Sequence, residues 1–140
     1  MTTVFKQVAV IGAGAMGRGI AQIAAQAGSQ VWLYDTQADA TLKAKDAVHA
    51  VWDTLASKGR LDAETVARYK AQLHTASSLV DLQTCELVVE AIVERLDIKK
   101  SLFVELENVL PVTAVLVTNT SSLSVTAIAA ALKRPAHFAG

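Results

Sequence analysis

The 140-residue sequence has a single cysteine, two prolines and no excess of either charge. With Cys85 alone, neither a disulfide within the chain nor a cysteine-based metal site can form. We interpret Cys85 as a small buried hydrophobic residue. Thirteen basic residues balance thirteen acidic ones, and no basic block or basic–aromatic interleaving occurs. The composition therefore favours neither nucleic acid nor an anionic membrane as a partner, and we predict no metal.

Long apolar runs and a leader are also missing. No apolar run approaches the roughly 20 residues of a membrane span, and Met1–Lys6 is too short and too polar to be a signal peptide. We therefore expect a soluble, cytoplasmic protein. Because 52% of the residues are hydrophobic, the chain can build one globular domain with a sizeable core.

The most informative stretch is Val8–Ile20, with the sequence VAVIGAGAMGRGI. An apolar run ends at Gly12, a G-x-G-x-x-G spacing follows, and an alanine-rich helical pattern continues to Gly28. This order of strand, glycine turn and helix is the context that a dinucleotide-binding fingerprint requires. Gly14 would let the backbone approach a pyrophosphate closely, and Gly17 would let the helix pack near the strand.

Strand-like and helix-like segments alternate along the rest of the chain, which predicts βαβ units in a Rossmann-type, doubly wound parallel α/β sheet. We expect one NAD-binding domain over residues 1–140. The predicted strands are Gln7–Ile11, Gln30–Tyr34, His74–Ala76, Leu87–Ile92, Ala114–Val117 and His137–Ala139; the predicted helices are Ala15–Ala27, Ala38–Lys58, Asp62–Leu73, Asp97–Leu110 and Ser124–Leu132. Because the chain stops at Gly140, within what should be a strand, we expect a truncated fragment of a longer protein.

Asp35 ends the second predicted strand, eighteen positions after Gly17. An acidic side chain there accepts hydrogen bonds from the ribose hydroxyls of the adenosine and repels a 2′-phosphate. Thr36 and Gln37 follow, so no neighbouring arginine neutralises that phosphate. The sequence therefore favours NAD over NADP. The alternative is a solvated aspartate that caps the next helix.

Further polar residues follow two later strands. Glu90 and Glu94 flank the predicted end of a strand, where ligands of such sheets bind. Composition alone favours a solvated helix face for Lys99 and Lys100, and a helix-capping cluster for residues 119–122.

Five segments together resemble the NAD-binding domain of the L-3-hydroxyacyl-CoA dehydrogenases, a family that includes 3-hydroxybutyryl-CoA dehydrogenases. They are IGAGAMGRGIAQIAA, LYD, LVVEAIVERLDIKK, TNTSSLSVTAIA and HFAG, in the family's order over essentially the whole chain. The EAIVE and NTSSL segments are more specific than the glycine loop. The chain looks most similar to the bacterial branch with the 3-hydroxyadipyl-CoA dehydrogenases of phenylacetate degradation.

The resemblance implies roles for individual residues. The pyrophosphate loop would comprise Gly12, Ala13, Gly14, Ala15, Met16 and Gly17. Asp35 would hold the ribose, and Glu94 and Lys99 would contact NAD, which reverses the solvated interpretation of Lys99. Ser121 would bind the 3-oxygen of the substrate beside the nicotinamide, and Asn119 would shape that pocket. Lys58 would contact coenzyme A, whereas a serine that does so in some members is replaced here by Val51.

The implied reaction is oxidation of a 3-hydroxyacyl-CoA to a 3-oxoacyl-CoA, with hydride transfer to NAD. In the family the base is a histidine in the segment G-L-H-F-F-N-P, held by a glutamate a few residues later. This sequence ends at Gly140, the glycine of that segment, so we expect the catalytic histidine and its glutamate partner to lie beyond Gly140. The helical C-terminal domain that binds substrate and forms the homodimer is absent too. We therefore expect the chain to bind NAD without turning over substrate alone.

Two alternatives to this family remain. One is another doubly wound dehydrogenase of the β-hydroxyacid type, which the NTSSL segment disfavours. The other is a non-catalytic NAD-binding protein or a crystallin-like structural protein.

Overall fold

The computed structural model describes residues 5–92, 96–118 and 122–139. Within these ranges strands and helices alternate along most of the chain. The strands are β1 (Gln7–Ile11), β2 (Gln30–Tyr34), β3 (Leu73–Thr75), β4 (Leu87–Glu90), β5 (Val115–Thr118) and β6 (Phe138–Ala139). The helices are α1 (Ala15–Gln26), α2 (Ala38–Ser57), α3 (Ala63–Gln72), α4 (Leu96–Val109) and α5 (Ser122–Ala131), and short 3-10 turns cover Leu79–Leu82 and Pro135–His137.

The six strands form one parallel sheet in the order β3-β2-β1-β4-β5-β6. The chain moves outward from β1 in one direction and then returns to continue from its other side with β4. This reversal is the topological switch point of a doubly wound sheet, and ligands bind outside the carboxyl ends of the strands there. The predicted Rossmann-type fold is therefore confirmed.

The register aligns the last residues of four neighbouring strands. Ile11 at the end of β1 pairs with Tyr34 of β2 and with Glu90 of β4, and Glu90 pairs in turn with Thr118 of β5. The segments that follow these strands therefore start side by side. This edge carries the glycine turn and Asp35.

The core lies on both faces of the sheet, as the continuous apolar sequence of β1 requires. Val8 and Val10 belong to a buried cluster that includes Trp52 of α2. The alternate β1 residues Ala9 and Ile11 belong to a second cluster, which α4 and α5 cover with Phe103, Leu106 and Ile128. Each large buried side chain contributes about 1.5–3 kcal/mol through removal of its surface from water.

Cys85 lies in the second cluster and is fully buried, as predicted from its isolation in the sequence. Burial raises the pKa of its thiol to about 12, because the thiolate would have to leave water. Cys85 is therefore a packing residue without nucleophilic character.

The predicted boundaries agree with the structure to within two residues, and three differences from the prediction are informative. β4 ends at Glu90 instead of continuing to Ile92. The turn Leu79–Leu82 was not predicted; it is closed by Asp81, which accepts hydrogen bonds from Ser77 and Ser78. Pro135–His137 forms a 3-10 turn, so the last strand begins at Phe138.

The predicted end of the chain within a strand is only partly covered by the structure. β6 comprises Phe138–Ala139 and pairs with Leu116 and Val117 of β5. Gly140, the residue that follows, lies outside the described residues. The expectation of a truncated fragment with its histidine and glutamate beyond Gly140 therefore stays a prediction.

Candidate cofactor-binding site

The turn between β1 and α1 requires glycine at its first position. Gly12 has a φ of +104°, a region that L side chains rarely adopt. Its N–H donates to the Tyr34 carbonyl oxygen over 2.8 Å. A Cβ at Gly12 would lie 2.9 Å from the Ala91 carbonyl oxygen and 3.1 Å from Cγ2 of Ile92. The glycine turn is thus packed directly against the segment that follows β4.

Gly14 and Gly17 differ in what surrounds them. A Cβ at Gly17 would lie only 1.7 Å from the Gly12 carbonyl oxygen, so the first turn of α1 can pack on the glycine turn only without a side chain there. A Cβ at Gly14 would meet nothing within 4 Å. Protein packing explains the glycine at 17, whereas the space at 14 is open for a ligand to approach the backbone.

The start of α1 suits an anionic group. Gly14 is the N-cap, no side chain caps it, and the first turn carries no acidic residue. Gly14, Ala15 and Met16 are exposed, while Ala13 and Gly17 are buried. Backbone N–H groups and the positive end of the helix dipole are concentrated at such a helix start, which favours phosphate there.

Asp35 follows β2 and lies beside the glycine turn. Its Oδ2 accepts a hydrogen bond from the Ala13 N–H over 2.9 Å, and its Oδ1 accepts one from the Gln37 N–H over 3.0 Å. The side chain is half-buried. A carboxylate has about four acceptor positions, so these two bonds leave acceptor capacity for ligand hydroxyl groups.

Two clefts open on either side of Asp35, with volumes of about 520 Å³ and about 360 Å³. Tyr34 and Thr36 also line both clefts. The larger cleft has a mainly apolar lining with an acidic rim, and its volume is typical of small-molecule sites. Residues that line it from β1, the segment after β4 and α4 are Ile11, Ile92, Asp97, Ile98, Ser101, Leu102 and Glu105.

A buried polar cluster lies behind this edge. Glu90 and Lys99 are both fully buried, and Lys99 Nζ is 3.3 Å from Glu90 Oε1. The hydroxyl of Thr118 also donates to Oε1, and the Ile92 N–H donates to Oε2 over 2.6 Å. The solvated interpretation of Lys99 is therefore wrong, because its charge is inside the protein and paired.

The remaining predicted site residues are placed as follows. Glu94, Asn119 and Ser121 lie outside the described residues, as Gly140 does. Lys58 is exposed at the end of α2, and Val51 is 43% exposed on the same helix. The structure therefore brings together the glycine turn and Asp35, and it places Lys99 next to Glu90.

Sequence reasoning missed two contributions. The Ala13 N–H joins the glycine turn to Asp35, and Thr118 joins β5 to Glu90. Glu90 itself carried a usable signal, since a glutamate within the apolar run Leu87–Ile92 must find buried partners.

The described ranges show neither a metal-binding cluster nor a membrane-spanning helix. Among these residues, no group of three or more histidine, cysteine, aspartate or glutamate side chains is arranged to hold a metal ion. In the same part of the chain, no helix has both the length and the apolar character needed to cross a membrane.

The site has the parts that a dinucleotide needs. An uncapped helix start follows a glycine turn, open space lies in front of Gly14, and a carboxylate with spare acceptor capacity stands at the end of the adjacent strand. With this strand order, these features define a Rossmann-type dinucleotide-binding domain.

Comparison with known proteins narrows this class. The family described as "3-hydroxyacyl-CoA dehydrogenase, NAD binding domain" matches residues 7–140. The chain belongs to this family, and the family's cofactor is NAD. The family resemblance seen in the sequence is thereby confirmed.

Individual relatives agree with this assignment. The 3-hydroxyadipyl-CoA dehydrogenase of Escherichia coli K12 is 47% identical over 133 residues, which is 95% of this chain and 28% of that protein. A 3-hydroxybutyryl-CoA dehydrogenase of Bradyrhizobium diazoefficiens is 39% identical over 140 residues, all of this chain and 48% of that protein. The crystal structure of 3-hydroxybutyryl-CoA dehydrogenase from E. coli K12 superposes with a TM-score of 0.91 at 45% identity, covering 97% of this chain and 29% of that one. The chain thus spans less than half the length of these relatives.

Proposed function

We propose that the chain binds NAD at the carboxyl edge of its sheet and serves as the cofactor-binding part of a 3-hydroxyacyl-CoA dehydrogenase. The observation that carries the proposal is the exposed start of α1 next to the glycine turn, with Asp35 bonded to the Ala13 N–H beside it. The family and its named relatives support the same cofactor and reaction class.

The described residues have distinct tasks in this proposal. The backbone of the segment Gly12–Gly17 at the start of α1 binds the pyrophosphate. Asp35 accepts hydrogen bonds from the adenosine ribose and repels a 2′-phosphate, which selects NAD over NADP. The larger cleft beside Asp35 has the apolar lining that suits the adenine. Bound NAD supplies the acceptor for the hydride that leaves C3 of the substrate.

The residues assigned by resemblance complete the proposal. Ser121 hydrogen-bonds the 3-oxygen of the substrate, Asn119 shapes the pocket around it, and Glu94 contacts NAD. Lys99 is fully buried against Glu90, so its part in the NAD site is to support that edge through Glu90. Lys58, exposed at the end of α2, contacts the phosphates of coenzyme A.

The complete dehydrogenase needs a base that removes the hydroxyl proton as the hydride leaves. By the family resemblance, that base is a histidine beyond Gly140, held by a glutamate, and the C-terminal domain forms a homodimer. The acyl group would be of the 3-hydroxybutyryl or 3-hydroxyadipyl type, as in the relatives' names. The enzyme would act in the cytoplasm.

The cofactor assignment can be tested by calorimetric titration of the chain with NAD and NADP. We expect NAD to bind at least about tenfold more tightly, and Asp35→Ala to weaken NAD by about tenfold, since hydrogen bonds to a charged acceptor are lost. Asp39→Ala is the matched control, because Asp39 is an exposed carboxylate in the first turn of α2. Equal affinity for the two cofactors would refute the role of Asp35.

The assignment of Ser121 requires the full-length dehydrogenase. Ser121→Ala should lower kcat for a 3-hydroxybutyryl-CoA by about 100-fold, since a hydrogen bond to the reacting oxygen strengthens in the transition state. NAD affinity should change far less. Unchanged turnover would remove Ser121 from the site.

A further inference from the structure

The buried carboxylate of Glu90 is connected to three other parts of the fold. Glu90 is the last residue of β4 and is fully buried. Its partners are Lys99 of α4, Thr118 of β5 and the backbone of Ile92 in the segment after β4. This segment is the one that packs on the glycine turn.

The two oxygens of this carboxylate face different groups. Oε1 accepts from the Thr118 hydroxyl and lies 3.3 Å from the Lys99 ammonium, whereas Oε2 accepts from the Ile92 N–H over 2.6 Å. A buried charge is tolerated only with compensating partners. Lys99 and Thr118 therefore fix the rotation of the carboxylate, and Oε2 is held in place for the Ile92 N–H.

The segment that Oε2 holds also forms one wall of the glycine turn. The Ala91 N–H donates to the Ile11 carbonyl oxygen over 2.8 Å. The Ala91 carbonyl oxygen and Cγ2 of Ile92 would be the nearest atoms to a Cβ at Gly12. Gly12 therefore lies against Ala91 and Ile92 with no room for a side chain between them, and a shift of Ile92 would change the wall that supports the glycine turn.

We propose that Glu90 is a positioning residue for the cofactor: through Ile92 it holds the segment after β4 against the glycine turn and so fixes the turn for NAD. This inference rests on the proposed function. Lys99 and Thr118 set the orientation of the Glu90 carboxylate. This carboxylate in turn sets the position of Ala91 and Ile92, which lie against the glycine turn. The hydrogen bond to Ile92 is the element that acts on the cofactor site.

This hydrogen bond can be isolated in a background without buried charge. In the double variant Glu90→Gln/Lys99→Met, the glutamine oxygen can accept from the Ile92 N–H while its amide donates to the Thr118 hydroxyl oxygen. In Glu90→Leu/Lys99→Met the leucine cannot accept that bond. Both variants lack the ion pair, and replacement of such pairs by uncharged side chains is commonly tolerated.

The experiment measures NAD affinity by calorimetry and the backbone amide signals of Gly12, Ala13 and Ile92 by NMR. We expect the Gln/Met variant to bind NAD about tenfold more tightly than the Leu/Met variant, with amide signals near those of the unmodified chain. The matched control is Glu86→Gln against Glu86→Leu. Glu86 accepts the Lys6 and Gln7 N–H groups just before β4 begins, at the opposite end of the strand, so this pair should not differ in NAD affinity.

Equal NAD affinity in the Gln/Met and Leu/Met variants, when the unmodified chain binds NAD, would overturn the inference and leave the proposed function intact. An equally large difference between the two Glu86 variants would overturn it as well, since the effect would then be general to β4. Failure of the unmodified chain to bind NAD would overturn the proposed function itself, and the inference with it.

Discussion

Two carboxylates stand on either side of β1 at the same edge of the sheet, and their surroundings are opposite. Asp35 is half-buried, accepts two backbone N–H groups and lies between two open clefts. Glu90 is fully buried and is matched by Lys99, Thr118 and Ile92. On the open side of β1, the side of Asp35, the carboxylate can accept hydrogen bonds from a ligand. On the closed side, that of Glu90, the carboxylate binds neighbouring strands and helices of the protein. The carboxylate of Asp35 therefore keeps acceptor positions that a ligand can use, whereas the carboxylate of Glu90 is used by the protein itself.

The largest effect is expected when the buried carboxylate of Glu90 is removed alone. Glu90→Leu leaves the Lys99 ammonium without its carboxylate inside the protein, so we expect the free energy of unfolding to fall by about 3–5 kcal/mol. Urea denaturation of the chain would measure it. Glu86→Leu is the control for loss of a less buried carboxylate and should lower the free energy by much less. If both variants lose the same amount, Glu90 has no special structural role.

The second prediction concerns the two glycines of the open side. Gly17→Ala places a methyl group 1.7 Å from the Gly12 carbonyl oxygen, so α1 must move away from β1. We expect a loss of about 1–3 kcal/mol in the free energy of unfolding, the usual range for overpacking, together with weaker NAD binding.

Gly14→Ala is its matched control, because a Cβ there meets nothing within 4 Å. Its free energy of unfolding should stay within about 0.5 kcal/mol of the unmodified chain. NAD affinity should nevertheless fall, because the added methyl group occupies the space of the pyrophosphate. Unfolding and calorimetry on the same samples would separate the two effects, and normal NAD binding by Gly14→Ala would contradict the predicted position of the pyrophosphate.

A smaller effect is expected from Asp35→Asn, which removes the charge and keeps one oxygen acceptor. The preference for NAD over NADP should shrink by about tenfold, since repulsion of the 2′-phosphate is lost. The free energy of unfolding should fall by only about 1 kcal/mol, the contribution of a single hydrogen bond. Parallel titrations with the two cofactors would check this, and an undiminished preference would assign the discrimination to another residue.

The smallest effect is expected at Cys85, whose thiol should not react with an alkylating reagent. Cys85 is packed on the same face of the sheet as Phe103 and Ile128, and burial raises its thiol pKa to about 12. At pH 8 a thiol with a raised pKa is protonated, and it reacts only above that pKa or after opening of the structure. Alkylation followed by mass spectrometry should therefore show negligible modification of Cys85 in the unmodified chain. The result should be the same in the Asp35→Ala variant, because Asp35 is not part of the cluster that buries Cys85. Rapid labelling of either would show that this face opens more readily than its packing indicates.

The sequence predicted best where the signal is local. β1 and β2 were predicted to the residue, because each is a short apolar run that ends in a turn residue or at Asp35. The start of α3 was predicted at Asp62, and in the structure Asp62 is the N-cap whose Oδ1 accepts a hydrogen bond from the Thr65 N–H. The pKa of Asp62 is lowered by this bond, so its contribution to stability is lost as the pH falls through that lowered pKa.

The sequence failed where the deciding contact is distant along the chain. β4 stops at Glu90 because its carboxylate takes the Ile92 N–H, and the carboxylate is turned that way by partners on α4 and β5. The spacing of apolar residues in the sequence does not indicate that the side chains of Glu90 and Thr118 are hydrogen-bonded. The 3-10 turn at Leu79–Leu82 is different, since Ser78 and Asp81 form a capping box that could have been recognised.

The bond from the Ala13 N–H to Asp35 has a consequence for how binding energy is shared. This hydrogen bond links the glycine turn, which would bind the pyrophosphate, to the carboxylate that would bind the ribose. A change in the position of either group therefore affects the other. Free energies of neighbouring, coupled positions do not add. Ribose and pyrophosphate would thus engage a single cooperative unit, in which order at one end of the adenosine diphosphate lowers the entropic penalty of binding the other.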